Sequence, residues 1–285
     1  MKNTGNLLKA LYIINTGLIL ILAGSFLFSG KNSSLPKKET VLLKPEEKEN
    51  TASVTIKDRI SSVTLTNSGH GIWIGKTENS KEIWPCDTET VNLLLKNLTN
   101  IIKVYKFSDN KALRSDYSLS EEDALRITLS ASDGKVLSEL FFGTVEKLTN
   151  RIYFCTGSSD SIWCTDDSYS VYLTSDPEFW CDRKIQPDIL YYDDFSKADS
   201  FLQRGKLLKT DENLTYERSL VKIINGSRIT LRLLQKGEKY KVYPLFTPYD
   251  KSLEQIFSAI NYGYELSSYT YSKLKETGFE EINTK

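Results

Sequence analysis

The chain has 285 residues, with 37 basic side chains, 37 acidic ones and a single histidine. Balanced charge sets up no net field that would gather nucleic acid, and one histidine excludes any site that needs two. Aromatics make up 11% of the chain, with 16 tyrosines, and together with frequent Thr, Val and Ile they favour strands with half-exposed faces.

Residues 10–30 carry no charged side chain. At about 1.5 Å per residue, a helix of that length spans roughly 30 Å, the hydrocarbon thickness of a bilayer. The segment is therefore expected to be an N-terminal transmembrane helix. A cleaved signal peptide is the competing reading, with Lys2 and Lys9 as its basic end and Ala23-Gly24-Ser25 as its small-residue site. Phe26-Leu27-Phe28 continues the apolar run past that site and favours an uncleaved anchor. Lysines flank the segment on both sides, so its orientation rests on the long chain that follows, for which the charge rule weakens. The expectation is a single-pass protein of the cytoplasmic (inner) membrane, N-terminus inside and body on the extracytoplasmic side.

Residues 31–52 include nine charged side chains of mixed sign, with Pro36 and Pro45 among them. Such a stretch buries too little apolar surface to offset its ordering entropy and reads as a disordered charged linker. The body is expected to comprise a first unit, residues 53–187, and a second, shorter one, residues 188–285.

In the first unit two strands flank Gly69-His70-Gly71, and a third ends at Trp84-Pro85. A helix follows, capped by Asp87 or Thr88, with Val91, Leu94, Leu95, Leu98, Ile101 and Ile102 as its apolar stripe. Residues 125–131 and 136–142 flank an Asp133-Gly134 turn and read as a hairpin closed by Gly143. Residues 152–156 and 162–166 read as a second hairpin. A turn centred on Ser159-Asp160 would set Cys155 opposite Cys164, within disulfide reach. Two buried thiols are the alternative, and four cysteines in all allow three pairings. Residues 170–174 read as a strand.

Displacing the chain by 159 residues aligns it with itself without gaps. Leu65 falls on Ile224, Ile72 on Leu231, Ile74 on Leu233, Trp84-Pro85 on Tyr243-Pro244, and Leu94 on Leu253. The shared pattern is β-β-β-α, with Asn225-Gly226 as a strong turn in the second copy. The sequence thus predicts an α+β body of antiparallel sheets with a helix packed on each, built by internal duplication.

Several spaced motifs follow one another in the first unit: Tyr117-Ser118-Leu119, the strand-Asp-Gly-Lys-strand ending in Phe142-Gly143, Arg151-Ile152-Tyr153, Val171-Tyr172-Leu173 and Trp180-x-Asp182-Arg183. In this order they resemble the bacterial domain-of-unknown-function family 4340, over roughly residues 53–190. Where this chain has Tyr117-Ser118-Leu119, members of the family often show Tyr-Gly-Leu. The resemblance implies a membrane-anchored extracytoplasmic protein encoded near ABC-type transporters and a gliding-motility auxiliary protein. It carries over no functional residue.

The search for chemistry is otherwise spare. His70 reads as an exposed turn residue, and no nucleophile elbow, Walker loop or dinucleotide fingerprint is present. Asp166-Asp167, Asp193-Asp194 and Glu121-Glu122-Asp123 lack calcium-loop spacing and read as solvated loops. No catalytic residue, cofactor or metal site is expected. Tyr262, Tyr264, Tyr269 and Tyr271 read as a tyrosine stripe, either sheet packing or an exposed partner surface. The expected function is a non-enzymatic accessory or binding protein of an ABC-type transport or motility-associated complex, with a protein partner and no nucleic acid. The alternatives are an envelope enzyme using carboxylates on polysaccharide or peptide, and a structural envelope protein.

Overall fold

The computed structural model describes residues 37–157, 159–166, 169–198, 201–210, 216, 218–237 and 239–282. The expected membrane span lies outside these residues. Among them, no helix is long and apolar enough to cross a membrane.

Two antiparallel sheets organise the body. The larger has ten strands: β1 (Lys37–Thr40), β2 (Ser53–Lys57), β3 (Ser62–Asn67), β4 (Trp73–Thr77), β5 (Ile83–Pro85), β6 (Ile102–Ser108), β7 (Leu125–Ser130), β8 (Val136–Val145), β9 (Ile152–Thr156) and β10 (Ile162–Thr165). Their order across the sheet is β1-β6-β10-β9-β8-β7-β2-β3-β4-β5. Alternation along the strands sends Val54, Ile56, Val63, Leu65, Ile127, Leu129, Leu140, Phe142 and Phe154 into one core.

The amphipathic helix α2 (Thr88–Thr99) lies against this core, capped by Asp87, whose carboxylate accepts the Thr90 N–H at 3.2 Å. It leads from β5, at one edge of the sheet, to β6, next to the other edge. Twelve helical residues span only about 18 Å, whereas eight flat strand spacings would span roughly 38 Å. The sheet therefore curls around the helix, and Val91, Leu94, Leu95 and Leu98 are all buried.

The opposite face of β8, β9 and β10 carries a smaller cluster of Leu119, Cys155 and Ile162, covered by Leu113 and Tyr117 of the 3₁₀ segment Lys111–Tyr117. The expected hairpins at 125–142 and 152–165 are present. Gly143 does not close the first of them, because β8 continues through it to Val145. A Cβ at Gly143 would lie 2.0 Å from the Tyr117 carbonyl oxygen, so glycine is needed for that close approach.

The smaller sheet has six strands in the order β11-β15-β14-β13-β12-β16. They are β11 (Leu207–Leu208), β12 (Arg218–Ile224), β13 (Ser227–Lys236), β14 (Lys239–Thr247), β15 (Gly263–Ser267) and β16 (Glu280–Ile282). Asn225 and Gly226 both take positive φ in the β12–β13 turn, as the sequence required. The helix α4 (Glu254–Ala259) contacts β14, and α5 (Ser268–Glu276) follows β15 directly. In both sheets the order strand-strand-strand-helix is present, but the first turn is out of step with the 159-residue offset, since residues 68–72 fall on 227–231, inside β13.

Three expectations are corrected here. The linker assigned to residues 31–52 is ordered from residue 37. There β1 pairs with β6, α1 (Pro45–Glu49) forms behind Pro45, and Leu42 and Leu43 are buried, their N–H groups donating to Leu98 O at 3.1 and 2.9 Å. The charged residues outnumbered the two leucines in the composition, but the leucines have a helix end to dock on. Residues 170–174 are not a strand, since Ser170–Tyr172 is a 3₁₀ turn. Finally, the division at residue 187 falls inside one continuous core that runs from Leu42 to Phe279 and includes Ile185, Ile189 and Leu190.

Candidate functional site

A cleft of about 1020 Å³ opens where the two sheets meet. One wall is the turn from β4 to β5, residues Thr77–Glu82, and the other is Leu207–Thr210 at and beyond β11. Trp84, Tyr243 and Tyr262 lie at its base. Trp84 and Tyr243 are the two aromatics of the aromatic-Pro pairs related by the 159-residue offset. Trp84 lies across Gly75 on the neighbouring strand, where an added Cβ would sit 2.0 Å from its ring.

Glu82 joins the two walls. Its carboxylate accepts the Thr210 N–H at 2.6 Å, the Thr210 hydroxyl at 2.9 Å and the Ser80 hydroxyl. Burial pushes this carboxyl up, but the bonds from Ser80 and Thr210 outweigh it and hold the group below its ordinary value. Lys81, Lys209 and Lys241 stand beside Glu78 and Glu82 along the opening, so the rim carries charges of both signs.

Beneath the cleft lies a buried polar node at the Trp180-Cys181-Asp182 motif, which follows the short helix α3 (Pro177–Trp180). The Arg204 side chain is almost fully buried. Its Nε donates to Asp182 O at 2.9 Å and one terminal nitrogen to Glu178 Oε2 at 2.8 Å. Glu178 also accepts the Leu207 N–H, which fixes β11 and with it one cleft wall. Asp182 accepts the backbone N–H groups of Lys184 and Asp188 at 2.8 and 2.7 Å. Burial first, and the neighbouring Asp188 second, push the Asp182 carboxyl up to about 7. Lys184 pairs with Asp188 at 2.5 Å. These are tie points between loops, so the motif residues hold the site rather than face it.

The residues singled out by sequence are distributed differently. Tyr262, Tyr264 and Tyr271 are buried and only Tyr269 is exposed, because the residues after Ser267 turn into helix α5 instead of extending the strand. The four do not form a partner surface, although Tyr262 reaches the cleft. The β10 register sets Cys164 opposite Tyr153 rather than Cys155, two residues from the expected partner, and all four thiols are free. His70 is exposed in its turn at positive φ, edge-on to Tyr192 at 6.3 Å. Among the described residues no group of three or more His, Cys, Asp or Glu is placed to hold a metal ion. Sequence reasoning missed the cleft because its walls are distant in the chain. The one available signal was the recurrence of an aromatic before proline.

The fold and cleft define a mixed α/β body dominated by antiparallel sheets. Residues 73–198 match the family described as Domain of unknown function (DUF4340), which supports the resemblance carried by the spaced motifs. An uncharacterized protein of Treponema pallidum (strain Nichols) is 22% identical over 102 residues, or 36% of this chain. The match spans 32% of that relative's length, about a third. No solved structure matches the chain.

Proposed function

We propose that the chain is a membrane-anchored, extracytoplasmic accessory protein of an ABC-type transport or motility-associated complex, and that it binds a partner subunit or envelope substrate in the inter-sheet cleft. The reading takes the N-terminal apolar run as the anchor and the two β-β-β-α units as the products of duplication. The transporter association is what the resemblance to DUF4340 implies, and the family's own description names no function.

The cleft is the observation that carries the binding role. It is wide, has an aromatic base and has a rim of mixed charge, which suits an extended polar segment. The carboxylate reading has less support. A glycosidase-type acid needs a carboxyl held protonated, whereas Glu82 is held ionised by three hydroxyl and amide donors.

The test is recovery of the protein at native abundance from membranes in mild detergent. Transporter or motility subunits should accompany it, and Lys209→Glu with Lys241→Glu should reduce that recovery several-fold. Isolation of the protein alone overturns the proposal.

A further inference from the structure

Cys86 and Cys181 lie 95 positions apart in the chain, yet they form a direct antiparallel bridge. Asp87 N donates to Trp180 O and Asp182 N donates to Pro85 O, both at 2.8 Å. These bonds flank the two cysteines, so the cysteines themselves occupy a non-hydrogen-bonded pair. That is the antiparallel position where Cα atoms approach to about 4.5 Å and side chains come closest. It falls within the separation that a disulfide spans, roughly 4.4–6.8 Å. Both residues are about 1% exposed, and the Cys181 thiol donates to Asp182 O at 3.5 Å.

We infer that Cys86 and Cys181 are the disulfide-forming pair of this protein, a staple that ties the strand leading into helix α2 to the Trp180-Cys181-Asp182 node under the cleft. In the closing reaction both S–H bonds break and one S–S bond forms. The two electrons and two protons pass to an incoming disulfide oxidant, which leaves as two thiols. Attack requires a thiolate. Burial pushes both thiols up, Cys181 to about 12, and the neighbouring Cys181 raises Cys86 further. The finished fold therefore resists both closing and opening, so the link forms while the chain is folding and is permanent afterwards. In the cell the pairing needs an oxidising compartment, and to that extent it rests on the extracytoplasmic reading.

The test uses the full chain, reduced and unfolded, then refolded in mild detergent with oxidised and reduced glutathione. Remaining thiols are alkylated in denaturant, and the protein is digested without reduction. The expected product joins the peptides of Cys86 and Cys181, two hydrogen atoms lighter than their sum, with Cys155 and Cys164 alkylated. Alkylated Cys86 and Cys181 in soluble refolded protein overturn the inference, as does a link from either to Cys155 or Cys164. As a second readout, reductant should lower the unfolding midpoint of the refolded wild type by several degrees and leave Cys86→Ala/Cys181→Ala unchanged. Equal sensitivity of the two also overturns it. A chain that forms this link but is recovered from membranes alone leaves the staple standing and removes the transporter role. The opposite pair of results removes only the staple.

Discussion

Ser118 holds φ 53° and ψ 37°, a left-handed conformation just after the 3₁₀ segment. A side chain there meets the following carbonyl oxygen, at a cost of about 1–2 kcal/mol that glycine avoids. This gives a physical reason for the glycine that the resemblance to Tyr-Gly-Leu implies at this position. Ser118→Gly should stabilise the protein by about 0.5–1 kcal/mol after the greater freedom of glycine in the unfolded chain is deducted, measured as a rise in the urea midpoint. Asp182 provides a second prediction at this scale. Its folded pKa of about 7 exceeds the ordinary 3.8 because burial, and then Asp188, disfavour its charge. The folded state then binds the proton more tightly than the unfolded chain, so this group's contribution falls as pH rises from 3.8 towards 7. Unfolding curves of wild type and Asp182→Asn at about pH 4 and pH 8 should show the difference moving against the wild type at the higher pH. Neither property was visible as such in the sequence. The Trp180-x-Asp182-Arg183 spacing marked the place, but its role depends on Arg204 and Asp188, brought in by the fold.

Among the elements, strands with clean alternation and turns with Asp-Gly or Asn-Gly were legible, because a two-residue period and a positive φ are local properties. The helix after Trp84-Pro85 was legible for the same reason, through its cap and the stripe from Val91 to Leu98, although the helix ends at Thr99, leaving Ile101 exposed and Ile102 in β6. Misreadings fell where tertiary contact overrides local pattern: the segment 170–172, which closes a turn, and the tyrosines after Ser267, which enter a helix. The cleft belongs to this scale as well, since Glu82 in the β4–β5 turn holds Thr210 beyond β11. Glu82→Ala should cost about 1–2 kcal/mol through the amide it leaves without a partner. It should also release that wall, read as faster amide hydrogen exchange at Leu207–Thr210 with little change at β13.

For the whole molecule, the boundary that composition drew at residue 52 is the consequential error. Charge and proline dominated residues 31–52, and the few apolar residues gained meaning only once helix α2 and strand β6 existed to receive them. A chain beginning at Ser53 should lose about 3–6 kcal/mol, since burying each leucine contributes roughly 1.5–3 kcal/mol and the β6 edge would be uncovered. A chain beginning at Lys31 should retain full stability. Urea titration of the two compares them directly.

The strand order also sets a timetable. Strand β2 sits between β3, its neighbour in the chain, and β7, which ends at Ser130. At synthesis rates of about 5–20 residues per second, some 70 residues of waiting last roughly 4–14 s before that partner exists. Strand β6 in turn waits for β10. Pairings of such wide separation are slow even in a finished chain. The nascent polypeptide thus carries its local hairpins well before the large sheet can close, and its first strands wait with one edge unpaired until their distant partners have been made.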